Sequence, residues 1–234
     1  MIFLKKIIGV LYTGSHILLV PYLVWQARKR DQVLLKKYTF GVAEKWGRRM
    51  FRLFNTEVEI IGRENIPDEP VVVIANHQAG MDIPLLLGFL PNKVSFIAKK
   101  ELKKMPVVST WMKYLNCFFI DRSSARSALA SFQECSSLIK NGQSVVIFPE
   151  GTRNPDLMPF KKGSFKLPIM AKVPILPVTI IGTEKAFSHG RKKVRLVIGQ
   201  PVSTSNLSKV EQENLTMQVE KIIKDNFQNY SMKN

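Results

Sequence analysis

Cysteine is scarce. The 234 residues contain only Cys117 and Cys135, which excludes a disulfide framework. Neither belongs to a paired zinc-binding spacing, and such sparing use suits a reducing compartment. Histidine is equally thin: His16, His77 and His189 are scattered, and no H-E-x-x-H pair exists. That argues against a metal enzyme, and no metal or other cofactor is expected. The nucleophile elbow G-x-S-x-G is also missing. Acidic residues are few, 18 against 35 lysines and arginines, which leaves a formal charge of +17. A balance this basic calls for an anionic partner: nucleic acid, an anionic membrane surface or a phosphorylated substrate. No RNP aromatic pair or helix-turn-helix signature accompanies the charge, so nucleic acid is not the expected partner. There are no repeats and no low-complexity segment. Hydrophobic residues make up 45%, enough for the packed core of one sizeable domain with an appendage.

The stretch that organises the chain is Val71 to Asp82, VVVIANHQAGMD. Its β-branched run reads as a strand buried on both faces. The strand ends at Asn76 and His77, and Asp82 opens the apolar run Ile83 to Leu90. Five residues correspond to about 500° of α-helix, so inside one helix the two side chains would diverge by about 140°. They face each other only if His77 lies in the turn and Asp82 at the start of the helix. The carboxylate would then fix one ring nitrogen and leave the other as a base. The plainer alternative is an ordinary loop histidine beside a helix-capping aspartate.

Ahead of this, Ile7 to Trp25 is a nineteen-residue stretch without formal charge, flanked by Lys5 and Lys6 and by Arg28, Lys29 and Arg30. Its length is near the spanning threshold. Basic residues at both ends leave a single crossing and a hairpin that dips into one leaflet equally open. From Asp31 to Phe54, Leu35, Tyr38, Val42, Trp46 and Leu53 recur at helical spacing, with lysines and arginines over much of the remaining surface. That pattern suits a helix lying on anionic lipid, and also a surface helix packed on the domain. Residues 1–54 are therefore read as a membrane-associated helical segment and 55–234 as the catalytic domain, on the cytoplasmic face of the membrane.

Beyond Val58, short β-rich runs alternate with helical ones. Strands are expected at Val58–Ile61, Val71–Ala75, Val94–Ala98, Phe118–Asp121, Ser144–Phe148, Ile175–Ile181 and Val194–Ile198. Helices are expected at Ile83–Leu90, Ser124–Lys140 and Lys209–Phe227. This alternation predicts an α/β fold with a mixed, largely parallel sheet flanked by helices. Pro174 and Pro177 make the start of the sixth strand a poor central strand. Polar groups directly follow three of the buried strands: His77 and Asp82, then Asp121 and Arg122, then Glu150, Gly151, Thr152 and Arg153. In open α/β sheets such strand ends converge on one crevice. Taken singly, each group could be a surface arginine or a turn.

NHQAGMD, FFIDR, FPEGTRN and VPILPV, in this order and spacing, resemble the four motifs of the glycerolipid acyltransferase family. The likeness covers about Asn76 to Ile180. It implies transfer of a fatty acyl group from acyl-CoA or acyl carrier protein to the sn-2 hydroxyl of lysophosphatidic acid. His77 would be the general base and Asp82 its partner, with no covalent acyl-enzyme. Glu150, Gly151, Thr152 and Arg153 would bind the glycerol phosphate, Glu150 by orienting Arg153 or an acceptor hydroxyl. Arg122 and, less strongly, Lys100 would add cations. Lys99 to Lys104 is a candidate dock for the anionic donor carrier. Oxyanion donors are sought at the Gln78–Gly80 turn or near Gly151. Val173 to Val178 either lines an acyl channel or fills the core. Asn116 and Ser109 stand where the family commonly has glycine.

Overall fold

The computed structural model describes residues 32–90, 94–120 and 125–231, and within the N-terminal stretch residues 4, 7–9, 11–15 and 25. The strands are β1 (Thr56–Ile61), β2 (Val72–Ala75), β3 (Val94–Lys99), β4 (Phe118–Ile120), β5 (Ser144–Ile147), β6 (Ile175–Ile181) and β7 (Lys192–Ile198). They form one seven-stranded sheet in the order β1-β7-β6-β2-β5-β3-β4. From β6 to β4 every neighbouring pair is parallel. β7 turns back antiparallel on β6, and β1 runs parallel to β7, so the sheet is mixed.

The helices are α1 (Gln32–Leu53), α2 (Asp82–Phe89), α3 (Pro106–Tyr114), α4 (Ala125–Lys140), α5 (Lys166–Ala171) and α6 (Lys209–Ser231). Alternation along β2 divides the interior into two layers. Val71, Val73 and Ala75 face a core shared with Phe40, Ala43, Met50 and Phe51 of α1 and with Leu85 and Leu86 of α2. Val72 and Ile74 face Cys135 and Ile139 of α4, Leu167 and Ala171 of α5, and Leu215, Val219 and Ile223 of α6. Burial on both sides accounts for the uninterrupted apolar runs of these strands.

α1 therefore packs into the domain core. The line drawn between residues 54 and 55 falls at its turn into β1, yet Phe51 and Phe54 are fully buried. Tyr38, counted on the apolar stripe, is instead exposed. The stretch Ile7 to Trp25 lies for much of its length outside the described residues. Among the described residues no helix is long and apolar enough to cross a membrane.

The second departure is β6, a central strand in spite of its proline. Ile175 and Pro177 both turn their backbone groups toward the chain after β7: Ile175 N–H reaches the Val202 carbonyl at 2.9 Å, and the Pro177 carbonyl accepts from Gly199 N–H at 2.8 Å. The ladder with β7 runs from Val178 onward, so the missing N–H of Pro177 interrupts no rung. β6 is buried throughout and fills the core.

α1 and α2 cross at Gly47 and Gly88. A Cβ on Gly47 would collide with the Pro84 carbonyl, and one on Gly88 would lie 2.8 Å from the Arg48 nitrogen. Both obstacles are backbone, so the helices would have to separate. Gly47→Ala and Gly88→Ala should each cost about 1–3 kcal/mol, outweighing the gain of about 1 kcal/mol in helix propensity. Thermal melting reads this as a loss of several degrees, and an unchanged Tm for both would mean that the crossing tolerates a side chain.

Candidate active site

The loops that follow β6, β2 and β5 are neighbours because those strands are adjacent in the sheet. They meet at the carboxyl ends of the parallel strands, where backbone groups are free of the ladder. His77 follows β2 and Asp82 begins α2, and His77 Nδ1 lies 2.6 Å from Asp82 Oδ2. The Asp82 side chain has no solvent exposure, against 13% for His77. Asp82 Oδ2 also accepts the Ala79 N–H at 3.0 Å, and Oδ1 accepts the Thr183 hydroxyl. The capping and base-orienting roles weighed for Asp82 thus coexist in one carboxylate.

The loop after β5 grips His77 by its backbone. Its N–H donates to Glu150 Oε1 at 2.9 Å, and its carbonyl accepts from Asn154 N–H at 2.8 Å. Its ring stacks on Phe148, centroids 4.0 Å apart and planes 13° from parallel. Arg153 Nε stands 3.4 Å from His77 Nε2. A guanidinium N–H can only donate, so Nε2 presents its lone pair and Nδ1 carries the proton shared with Asp82. This is the tautomer a base requires.

His77 lines a cavity of about 710 Å³. Its walls are mostly apolar, with Trp46 of α1, Leu87 of α2, Phe96 of β3, and Trp111 and Met112 of α3 among them. His77, Gly151, Thr152 and Arg153 share one rim of it, and Lys99, Glu101, Leu102 and Met105 lie on its wall.

Some expected residues fall elsewhere. Glu150 does not orient Arg153. Its carboxylate is buried, with Oε1 on the His77 N–H and Oε2 on the Met158 N–H at 3.3 Å, so it braces the loop from behind. Lys100 is exposed at the start of a short 3-10 turn, and its neighbours Lys99 and Glu101, not Lys100, line the cavity. Asp121 and Arg122 lie outside the described residues; β4, which leads to them, is three strands from β2. The amides of Ala79 and Gly151 are already taken, by Asp82 and by the Phe148 carbonyl.

Two further residues complete the arrangement: Thr183, outside the motifs, and Gln78, inside NHQAGMD but with no role foreseen for its side chain. Thr183 reaches Asp82 from 101 positions away. Gln78 joins three loops: its amide oxygen accepts Gly182 N–H and its amide nitrogen donates to the Pro155 carbonyl, each at 2.9 Å. Only the partner loops reveal either role.

A histidine set against a buried carboxylate on the wall of an apolar cavity is thus what the loops after β2, β5 and β6 bring together. The comparisons place it further. The family profile described as Acyltransferase matches residues 57–181, and the chain belongs to that family. The 1-acyl-sn-glycerol-3-phosphate acyltransferase of Saccharomyces cerevisiae is 34% identical over 169 residues, 67% of this chain and 55% of the yeast protein. A probable 1-acyl-sn-glycerol-3-phosphate acyltransferase of Mycoplasma genitalium is 33% identical over 189 residues, 72% of this chain and 70% of that one. The crystal structure of the 1-acyl-sn-glycerophosphate (LPA) acyltransferase PlsC from Thermotoga maritima matches with a TM-score of 0.80 at 34% identity, covering 100% of this chain and 99% of that chain. The chain spans about half the length of the yeast relative and of a Brassica napus one, 55% and 51%.

Burial pushes the Glu150 carboxyl up from its ordinary 4.5 to about 7, against the lowering effect of its two backbone hydrogen bonds. The folded protein then holds this proton more tightly than the unfolded chain does. Its contribution to stability is complete below pH 4.5 and is lost as pH rises through about 7. Urea unfolding at pH 5, 6 and 7 should show a decline of up to about 1.4 kcal/mol per pH unit from this group. Glu150→Gln should flatten that decline, and an identical slope in the variant would refute the assignment.

Proposed function

We propose that this chain transfers a fatty acyl group from acyl-CoA or acyl carrier protein to the sn-2 hydroxyl of 1-acyl-glycerol 3-phosphate, forming phosphatidic acid. The observation that carries the reading is the 2.6 Å contact of His77 Nδ1 with the buried Asp82 carboxylate, His77 itself lying on the wall of an apolar cavity. The acceptor hydroxyl gives its proton to Nε2 as its oxygen attacks the thioester carbonyl, and Asp82 stabilises the imidazolium. Collapse of the tetrahedral intermediate expels the thiolate, which takes the proton back from His77. A positioned base of this kind typically contributes about 10²–10⁴-fold.

Direct transfer fits the cysteine chemistry. Cys117 lines the cavity, but burial pushes its thiol up to about 12, so it is not a ready thiolate for an acyl-enzyme. The family likeness supplies the phosphate assignment. Arg153 is the rim's guanidinium, and turning it toward a phosphate frees Nε2 for the hydroxyl. Arg122 is a second cation on its motif alone. Lys100, Lys103 and Lys104 are exposed on the turn whose Leu102 lines the cavity, which suits an anionic donor carrier.

The described N-terminal residues support membrane attachment. Gly9 lies against Phe54, Tyr12 reaches Arg49 at 3.3 Å, and Thr13 accepts from Trp46 Nε1 at 3.2 Å, so this segment runs antiparallel to α1. Leu4, Ile7, Ile8 and Leu11, spaced as one helix face, are exposed beside the basic surface of α1. Such a face suits the interface of an anionic leaflet.

His77→Ala should abolish transfer while leaving the fold intact, and Asp82→Asn should lose most of it through the wrong tautomer. A panel of lysophosphatidic acid, glycerol 3-phosphate and a lysophospholipid, each offered with both donor types, tests the substrate. Equal turnover without a free phosphate would sink the phosphate assignment, and thioester cleavage indifferent to lysophosphatidic acid would make the protein a hydrolase. Replacing Ile8 and Leu11 together by aspartate should release the protein from vesicles containing anionic lipid in a sedimentation assay. Undiminished pelleting would place attachment elsewhere.

A further inference from the structure

Thr183 lies outside the four motifs, yet it makes one of the contacts that hold the base pair in place. Its side chain and that of Asp82 are both fully buried. A carboxylate has no proton to give, so the threonine hydroxyl is the donor and Asp82 Oδ1 the acceptor. The other donors to Asp82, His77 Nδ1–H and Ala79 N–H, both fall on Oδ2. Thr183 is therefore the described partner of the second oxygen, and it fixes the rotation of the carboxylate about its last bond.

The approach of Thr183 is itself prepared. It follows Gly182, whose φ of 90° turns the chain out of β6. A Cβ there would lie 2.9 Å from the Lys193 carbonyl, so a side chain is excluded. The Gly182 N–H is tied to Gln78 Oε1 at 2.9 Å, which joins this corner to the His77 loop.

We propose that Thr183 is a positioning residue of the reaction, acting through Asp82 on the orientation and basicity of His77. The proposal rests on His77 being the base. The hydroxyl spreads part of the Asp82 charge onto Oδ1 and holds Oδ2 toward the imidazole. Without it, Oδ1 is a bare buried charge, the carboxylate is free to turn, and its remaining charge grips the imidazolium harder. Among the described residues the ionisable groups facing the pair are Glu150, behind the His77 backbone, and Arg153, at Nε2. Substitution at residue 183 leaves both in place.

The test compares Thr183→Val, which keeps the shape and removes the donor, with Thr183→Ser, which keeps the donor. With lysophosphatidic acid and acyl-CoA, Thr183→Val should lower kcat about 10–100-fold, leave the acceptor KM unchanged, and move the acidic limb of the pH–rate profile, where the rate rises as the base loses its proton, to higher pH. Thr183→Ser should recover most of kcat and the original profile. In an Asp82→Asn background the valine substitution should cost little, because the carboxylate it served is gone. Thr183→Ala takes the place of the valine variant if that fails to fold. A full loss in both backgrounds with an unmoved pH profile would make Thr183 merely structural and overturn the proposal, as would a wild-type kcat in Thr183→Val. His77→Ala keeps the two readings apart: if it stays active, the base assignment fails. If it is dead while Thr183→Val matches wild type, only the role of Thr183 fails.

Discussion

The arrangement depends on one buried charge. The Asp82 carboxylate has no contact with solvent, and an ion in that position persists only where donors replace the water it has lost. Those donors come from His77, Ala79 and Thr183, that is, from the turn after β2 and the turn after β6. No short peptide could assemble them. The sheet does so by placing β6 beside β2, and the dipole at the start of α2 adds to the preference for negative charge at this spot. With the carboxylate held, the imidazole has one rotational choice, and its stack on Phe148 settles the plane of the ring.

Around that charge the molecule separates an apolar interior from a basic surface. Helices α1, α2 and α3 lie over the sheet and leave between them the cavity that His77 opens onto. The close crossing of α1 and α2 at Gly47 and Gly88 sets the spacing of these two helices. α1 serves both sides. Phe51 and Phe54 anchor it in the core, Trp46 faces the cavity, and Arg48, Arg49 and Arg52 remain on the outer surface. Apolar side chains and the Arg153 guanidinium thus line the same cavity.

Glu150 contacts the site from behind, through backbone amides. Its carboxylate ties the His77 amide to the Met158 amide, so the loop after β5 and the turn after β2 move as one body. Charge and motif suggested a partner for Arg153. Burial of the side chain, and the rise to about 7 that burial causes, belong to a structural brace.

Strands were legible because burial on both faces demands unbroken β-branched runs, and the seven expected strands are the seven observed. α3 was not, since three β-branched residues, Val107, Val108 and Thr110, stand among its first five and favour strand over helix, and α5 is only six residues long. The sequence alone determined the types of group available and their place at strand ends: one histidine with a carboxylate five residues on, arginines after later strands, and an excess of positive charge. Local spacing suffices for this, because it obeys the periods of strand and helix. Which strand ends are neighbours was decided by strand order, a long-range matter of how the sheet packs. That order placed Thr183, Gln78 and Glu150 against the His77–Asp82 pair and set β4 two strands beyond β5. Contacts spanning 73 to 104 residues leave no local periodicity to read, so only the folded chain discloses them.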